Sequence, residues 1–183
     1  MTTYAAPIRD MQFVLHDVLQ ISGQDLPGYN ELEPEFTGAI LDAAGKLAAE
    51  VLAPLNAVGD QRGCRLENGV VHTPKGFTDA WRQFVAGGWT GIGFSPEVGG
   101  QGLPRLVTTA VGEIWTAANM AFGLCPMLTQ AAADVIDRFA PPRLKEKYLP
   151  RMVAGEWTGT MNLTEPQAGS DLARVRTRAV RGD

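Results

Sequence analysis

The chain has 183 residues, a formal net charge of −4, and 45% hydrophobic and 20% charged residues. That balance excludes a disordered polar chain, gives enough apolar surface for a sizeable core, and argues against nucleic acid as a partner. The two cysteines, Cys64 and Cys125, make no disulfide framework and are expected as buried small hydrophobes of a reducing compartment.

In chain order, residues 1–6 are small and polar, and Pro7 can open a helix. Ile8, Met11, Leu15, Val18 and Leu19 recur at helical spacing, which predicts an amphipathic helix over about 8–20. Arg9, Asp10, His16 and Asp17 interrupt the apolar residues, so this stretch has no secretory core. No run is long enough to span a bilayer, and the protein is expected to be cytoplasmic. His16 and His72 lie far apart in sequence and show no metal-ligand spacing, so no metal is expected.

Pro34 starts a second helix, running to about Val58. Pro54 cannot donate to the helical ladder and should kink or widen its last turns. Asn68-Gly69, between Leu66 and Val70-Val71, reads as the turn of a small hairpin. A third helix follows Pro74, with Phe77, Trp81, Phe84 and Val85 as its buried stripe, and ends at Gly87-Gly88. The glycine-bearing stretch from Gly91 to Gly102 is not a phosphate loop: a helix precedes it, and no P-loop lysine follows. It reads as a connection between helices.

A fourth helix is expected from Pro104 to about Asn119. A break near Gly123 then leads to a fifth, from Pro126 to Phe139, with Met127, Leu128, Ala131, Val135 and Phe139 as its face. Pro141-Pro142 introduces a sixth, Arg143 to Val153, bent at Pro150.

From Trp157 to Thr164 the residues are β-favouring and alternate in size and polarity, which predicts a strand. Glu165-Pro166 breaks it, and Ala168-Gly169-Ser170 removes bulk where a ligand can come close. Thr164 and Ser170 offer hydroxyls beside free backbone N–H groups, a combination suited to a planar heterocycle and a phosphate. Glu165 and Asp171 are expected to hold the loop's own N–H groups rather than touch phosphate. Leu172 to Val180, with Arg174, Arg176 and Arg178 alternating, reads as a second strand with one wet face. The closing Arg181-Gly182-Asp183 is taken as chance rather than an adhesion motif.

The run Leu163-Thr164-Glu165-Pro166-Gln167-Ala168-Gly169-Ser170-Asp171 resembles the flavin-binding signature of the acyl-CoA dehydrogenase family. Pro96-Glu97-Val98-Gly99-Gly100-Gln101-Gly102 resembles a loop of that family's helical domain, and Lys147-Tyr148-Leu149-Pro150 with Gly155-Glu156 resembles the stretch before its flavin strand. Residues 1–33 look like the extra N-terminal element of a larger subgroup, which includes enzymes acting on sulfur-containing or long-chain thioesters.

The resemblance implies a mainly α fold: a multi-helix N-terminal domain followed by the first strands of a β-barrel domain. Residues 1–33 would be an extension with one short helix, 34–156 the helical domain, and 157–183 the start of an incomplete flavin-binding domain. It implies FAD as cofactor and α,β-desaturation of an acyl-CoA, a glutamate base taking the α-proton while hydride passes to the flavin. Carried over by position, Met161, Leu163, Thr164 and Ser170 would contact FAD, and Ser170 also the acyl-CoA. Met120, Phe122, Leu124 and Leu128 are candidates for a wall of the acyl pocket, with core packing the other reading. The base is expected beyond Asp183, so no catalytic residue is assigned and the chain alone is expected to be inactive. An electron-transfer flavoprotein or other acceptor would be the partner, and the complete enzyme would be a homo-oligomer. Two further readings stay open: an acyl-CoA oxidase-like flavoenzyme of the same fold, and a helical binding or assembly module without catalysis.

Overall fold

The computed structural model describes residues 4–181. Gly182 and Asp183 of the closing tripeptide lie outside them. The chain is mainly helical: α1 (Ile8–Gln12), α2 (Pro34–Leu47), α3 (Ala53–Arg62), α4 (Phe77–Ala86), α5 (Arg105–Ala118), α6 (Met120–Phe139) and α7 (Pro142–Val153). A single hairpin, β1 (Arg65–Glu67) with β2 (Val70–His72), stands between α3 and α4.

Two wide turns interrupt the helical ladder. The first, Phe13–Val18, continues α1 and ends with the Leu19 N–H donating to the Val14 carbonyl. The second, Ala48–Leu52, joins α2 to α3, with the Ala53 N–H donating five residues back to Ala48. It lies immediately before Pro54, where an α-turn would set the ring against the preceding carbonyl; the wider turn relieves that contact without breaking the helix. In the hairpin, Asn68 (φ 52°) and Gly69 (φ 78°) both take positive φ, as a two-residue turn matching the strand twist requires. Leu66 pairs with Val71, and both are exposed.

The main core sits where α2, the wide turn before Pro54, α4, α5 and the start of α6 meet. Leu41, Leu52, Phe84, Val107, Val111 and Ile114 are fully enclosed there. Phe84 is its aromatic centre, 4.6 Å from Trp115 and 5.5 Å from Phe122, both edge-on. Met11, Leu15, Ile21 and Leu32 from the leading segment join the same core. A smaller cluster of Phe94, Ala133, Leu149, Met152 and Val153 lies between α6, α7 and the 91–102 loop. Thr90 ties that loop to α7, its buried hydroxyl donating to the Val153 carbonyl at 2.7 Å.

Four expectations are corrected. No helix break occurs at Gly123; the joint is at Asn119, which leaves helical geometry and accepts the Phe122 N–H, so α6 starts at Met120 and carries Pro126 inside it. The stripe on α6 faces outward: Met127, Ala131, Val135 and Phe139 are exposed, while Phe122, Gly123, Pro126, Thr129 and Ala133 face in. Cys64 and Cys125 are exposed. Neither expected strand forms over 157–180; among the described residues this stretch holds one isolated bridge, Glu165 with Ala168, and a short 3-10 turn at Leu172–Arg174. A strand needs a partner ladder, and the N–H groups of Arg176 and Thr177, which a second strand would offer one, go to the Glu165 carboxylate instead.

Candidate cofactor-contacting loop

The chain leaves α7 and is anchored against α6 before it opens out. Thr129, on the inward face of α6, accepts the Gly159 N–H at 3.1 Å while its own hydroxyl donates to the Cys125 carbonyl. Trp157 packs against Tyr148, with the Arg151 guanidinium 4.6 Å from its ring centre. Beyond Gly159 the support ends. Met161 is 65% exposed and Leu163 46%, and residues 160–164 make no backbone hydrogen bond among the described residues.

Glu165 then closes a loop on itself. Its N–H donates to the Ala168 carbonyl and the Ala168 N–H donates back, both at 3.0 Å. The carboxylate accepts the Thr177 N–H at 2.7 Å, the Arg176 N–H at 3.0 Å, and the Gln167 side-chain amide. Hydrogen bonding from Thr177, then from the Arg176 and Thr177 backbone and from Gln167, lowers the Glu165 carboxyl to about 2. The role expected of Glu165 is therefore seen. That expected of Asp171 is not: among the described residues only its backbone carbonyl takes part, accepting the Arg174 N–H.

The tight turn at Glu165–Ala168 folds Thr164 back on the small residues. The Thr164 methyl comes 3.8 Å from where a β-carbon on Gly169 would stand, which brings Thr164 to the neighbourhood of Ser170. Both residues are exposed, and neither hydroxyl has a hydrogen-bond partner among the described residues. Met161 and Leu163 lie on the open stretch before the turn, Leu163 directly preceding Thr164. Arg174 and Arg176 are exposed on the same loop and in no ion pair among the described residues. Free hydroxyls, open backbone groups and cations around a turn with no bulky side chain fit a polar-edged ring bearing phosphate.

The acyl-wall candidates separate. Phe122 is a core residue, packed on Phe84 and Trp81. Leu128 is half-buried, and Met120 and Leu124 are exposed in line with Met127 on α6. The anchoring role of Thr129 and the donors Arg176 and Thr177 have no signal in the sequence, since each depends on residues 11 to 30 positions away.

The chain is similar over almost all its length to known enzymes. It is 45% identical over 182 residues to a 3-methylmercaptopropionyl-CoA dehydrogenase of Ruegeria pomeroyi, covering 99% of this chain and 31% of that protein. To a butyryl-CoA dehydrogenase of Syntrophomonas wolfei it is 31% identical, covering 96% of this chain and 29% of that protein. It thus spans roughly a third of the length of these curated relatives. A solved structure described as an electron transferring flavoprotein of Acidaminococcus fermentans superposes with a TM-score of 0.64 at 26% identity, over 76% of this chain and 34% of that one. Butyryl-CoA dehydrogenase from Megasphaera elsdenii, at 24% identity and a TM-score of 0.62, covers the same shares and shares the fold. Residues 35–156 match the family described as acyl-CoA dehydrogenase, N-terminal domain. The chain belongs to the acyl-CoA dehydrogenase family.

Proposed function

We propose that this chain is the N-terminal part of an FAD-dependent acyl-CoA dehydrogenase that desaturates an acyl-CoA between its α and β carbons. The observation that carries the reading is the Glu165-clamped loop, which leaves Thr164 and Ser170 unpartnered beside an open backbone row. Bound FAD supplies the hydride acceptor. The backbone of Leu163 and Thr164 and the Thr164 hydroxyl would hold the polar edge of the ring, Met161 would be a further contact, and Ser170 would donate to phosphate and to the acyl-CoA. Glu165 does no proton transfer: its lowered pKa and its donors make it a clamp.

The base that takes the α-proton lies outside residues 1–183 in this reading, and electrons pass on to an electron-transfer flavoprotein. The long, 45%-identical match to a dehydrogenase of a sulfur-containing acyl-CoA favours a short or thioether-bearing acyl group over a long one. Joining this chain to the remaining two-thirds of a relative tests the proposal. The joined protein should reduce a dye acceptor with an acyl-CoA, and the chain alone should not. Turnover by the chain alone would sink the placement of the base.

A further inference from the structure

Away from the Glu165 loop, a cavity of about 480 Å³ opens between α3, α4 and α6. Its volume lies in the range of small-molecule sites. Phe77, Trp81 and Phe122 give it an aromatic wall, and both cysteines of the chain, Cys64 and Cys125, line it. Neither cysteine is in a disulfide, and both are exposed as residues. Charged residues stand next in sequence to the lining. Arg62 and Lys75 directly adjoin the lining residues Gly63 and Pro74, and neither joins an ion pair among the described residues. Arg65, beside Cys64, is held by Glu67 at 3.2 Å, and Asp60 is the nearby acid on α3.

An apolar wall, a nucleophile and cationic residues next in sequence to the lining together suit a ligand with an apolar acyl group, an electrophilic carbon and an anionic carrier. We propose that this cavity captures α,β-unsaturated acyl thioesters covalently through Cys64. The Cys64 sulfur forms a bond to the β carbon, the α–β π bond becomes the new C–H bond at the α carbon, and the thiol proton ends there. Nothing is oxidised or reduced overall, and no group leaves. Cys64 is the nucleophile because it stands in the open connection after α3, between Arg62 and Arg65 in sequence, whereas Cys125 is held within α6, where partial burial also pushes its thiol up. The relevance of this electrophile rests on the proposed dehydrogenation, whose product is such a compound; capture would make the site a sensor of accumulated product.

The test supplies acryloyl-CoA ready-made to the 183-residue chain and reads intact mass and peptide maps, so failure of the dehydrogenase reading leaves its result unchanged. The expected adduct carries the whole mass of acryloyl-CoA, one per chain, on Cys64. It should be lost in Cys64→Ser and kept in Cys125→Ser. A gain of the acryloyl group alone, with free CoA released, overturns conjugate addition in favour of acyl exchange. Ala121→Trp, at an exposed lining position, fills the cavity. It should slow the acryloyl-CoA adduct about tenfold, the loss expected when a few buried methylene equivalents are denied to the ligand, while iodoacetamide labels Cys64 at an unchanged rate. Equal slowing of both reagents, or of neither, overturns the proposal, because the cavity would then confer no selectivity.

Discussion

The buried amide of Asn119 donates to the Leu52 carbonyl at 3.0 Å while its oxygen accepts the Phe122 N–H at 3.0 Å. One side chain thus caps α6 and satisfies a carbonyl in the wide turn before Pro54, 67 residues away in sequence. Asn119→Ala removes the cap and strands a buried acceptor, and should cost about 2–4 kcal/mol. Asn119→Ser keeps a capping oxygen and should recover part of that. Urea unfolding midpoints of the three proteins check this; an Ala variant as stable as the parent would show that water takes over both bonds.

Phe84 touches Trp81, Trp115 and Phe122 and is wholly enclosed. Phe84→Ala should destabilise by about 3–5 kcal/mol, the cost of lost transfer energy and a residual cavity. Phe84→Leu should cost less. The comparison is made by thermal and urea unfolding, and equal losses would mean that refilling the volume recovers nothing and the aromatic contacts carry the whole effect.

Glu165 gives a pH signature. Its folded carboxyl titrates near 2, below its ordinary value of 4.5, so its clamp contributes stability above that ordinary value. The contribution is lost as pH falls from there through about 2. The Thr177 amide resonance should therefore shift with a midpoint near 2 and be constant through pH 5–7. Glu165→Gln should abolish the transition. A midpoint at the ordinary carboxylate value would mean the clamp is open in solution.

In a longer protein carrying this chain, Thr164→Val keeps the side chain's shape and removes its hydroxyl. FAD binding should weaken by about 0.5–1.5 kcal/mol, one hydrogen bond to a polar ligand. Equilibrium dialysis against FAD reads it, and an unchanged dissociation constant would return Thr164 to a purely structural role.

Amides of residues 160–164 lack backbone partners among the described residues and should exchange with solvent at near-unprotected rates, while those of Val111 and Ile114 in α5 should be slow. Slow exchange at 160–164 would reveal a partner for this segment, another copy included.

The helices, the hairpin turn and the strain at Pro54 are legible because each depends on neighbours within a turn or two: spacing for the stripes, Asn68-Gly69 for the reversal, a missing N–H for the wide turn. The α5–α6 joint is not. Gly123 has the weaker helix propensity, but Asn119 finds a cap and the distant Leu52 carbonyl, and tertiary bonding outweighs the local preference. Periodicity found the apolar stripe of α6 yet could not say which way it points, because past Phe122 the inward face carries compact residues, Gly123, Pro126, Thr129 and Ala133, against which α5 and α7 pack. At the loop, the clamping role of Glu165 is readable from chemistry and order. The strands were not, since a ladder depends on what lies alongside it.

The 91–102 loop shows that a glycine-rich stretch need not be pliant. Its backbone is cross-tied by Gln101 N–H to Gly91, Gly102 N–H to Phe94 and Leu103 N–H to Ile92, and a β-carbon on Gly100 would collide with the Phe94 carbonyl. Absence of side chains here permits two backbone runs to lie flush, and the result is a wedge between the two cores. A protease seeking slack chain should pass over these glycines and cut in the exposed 24–31 segment instead, leaving two pieces still clasped by the helices.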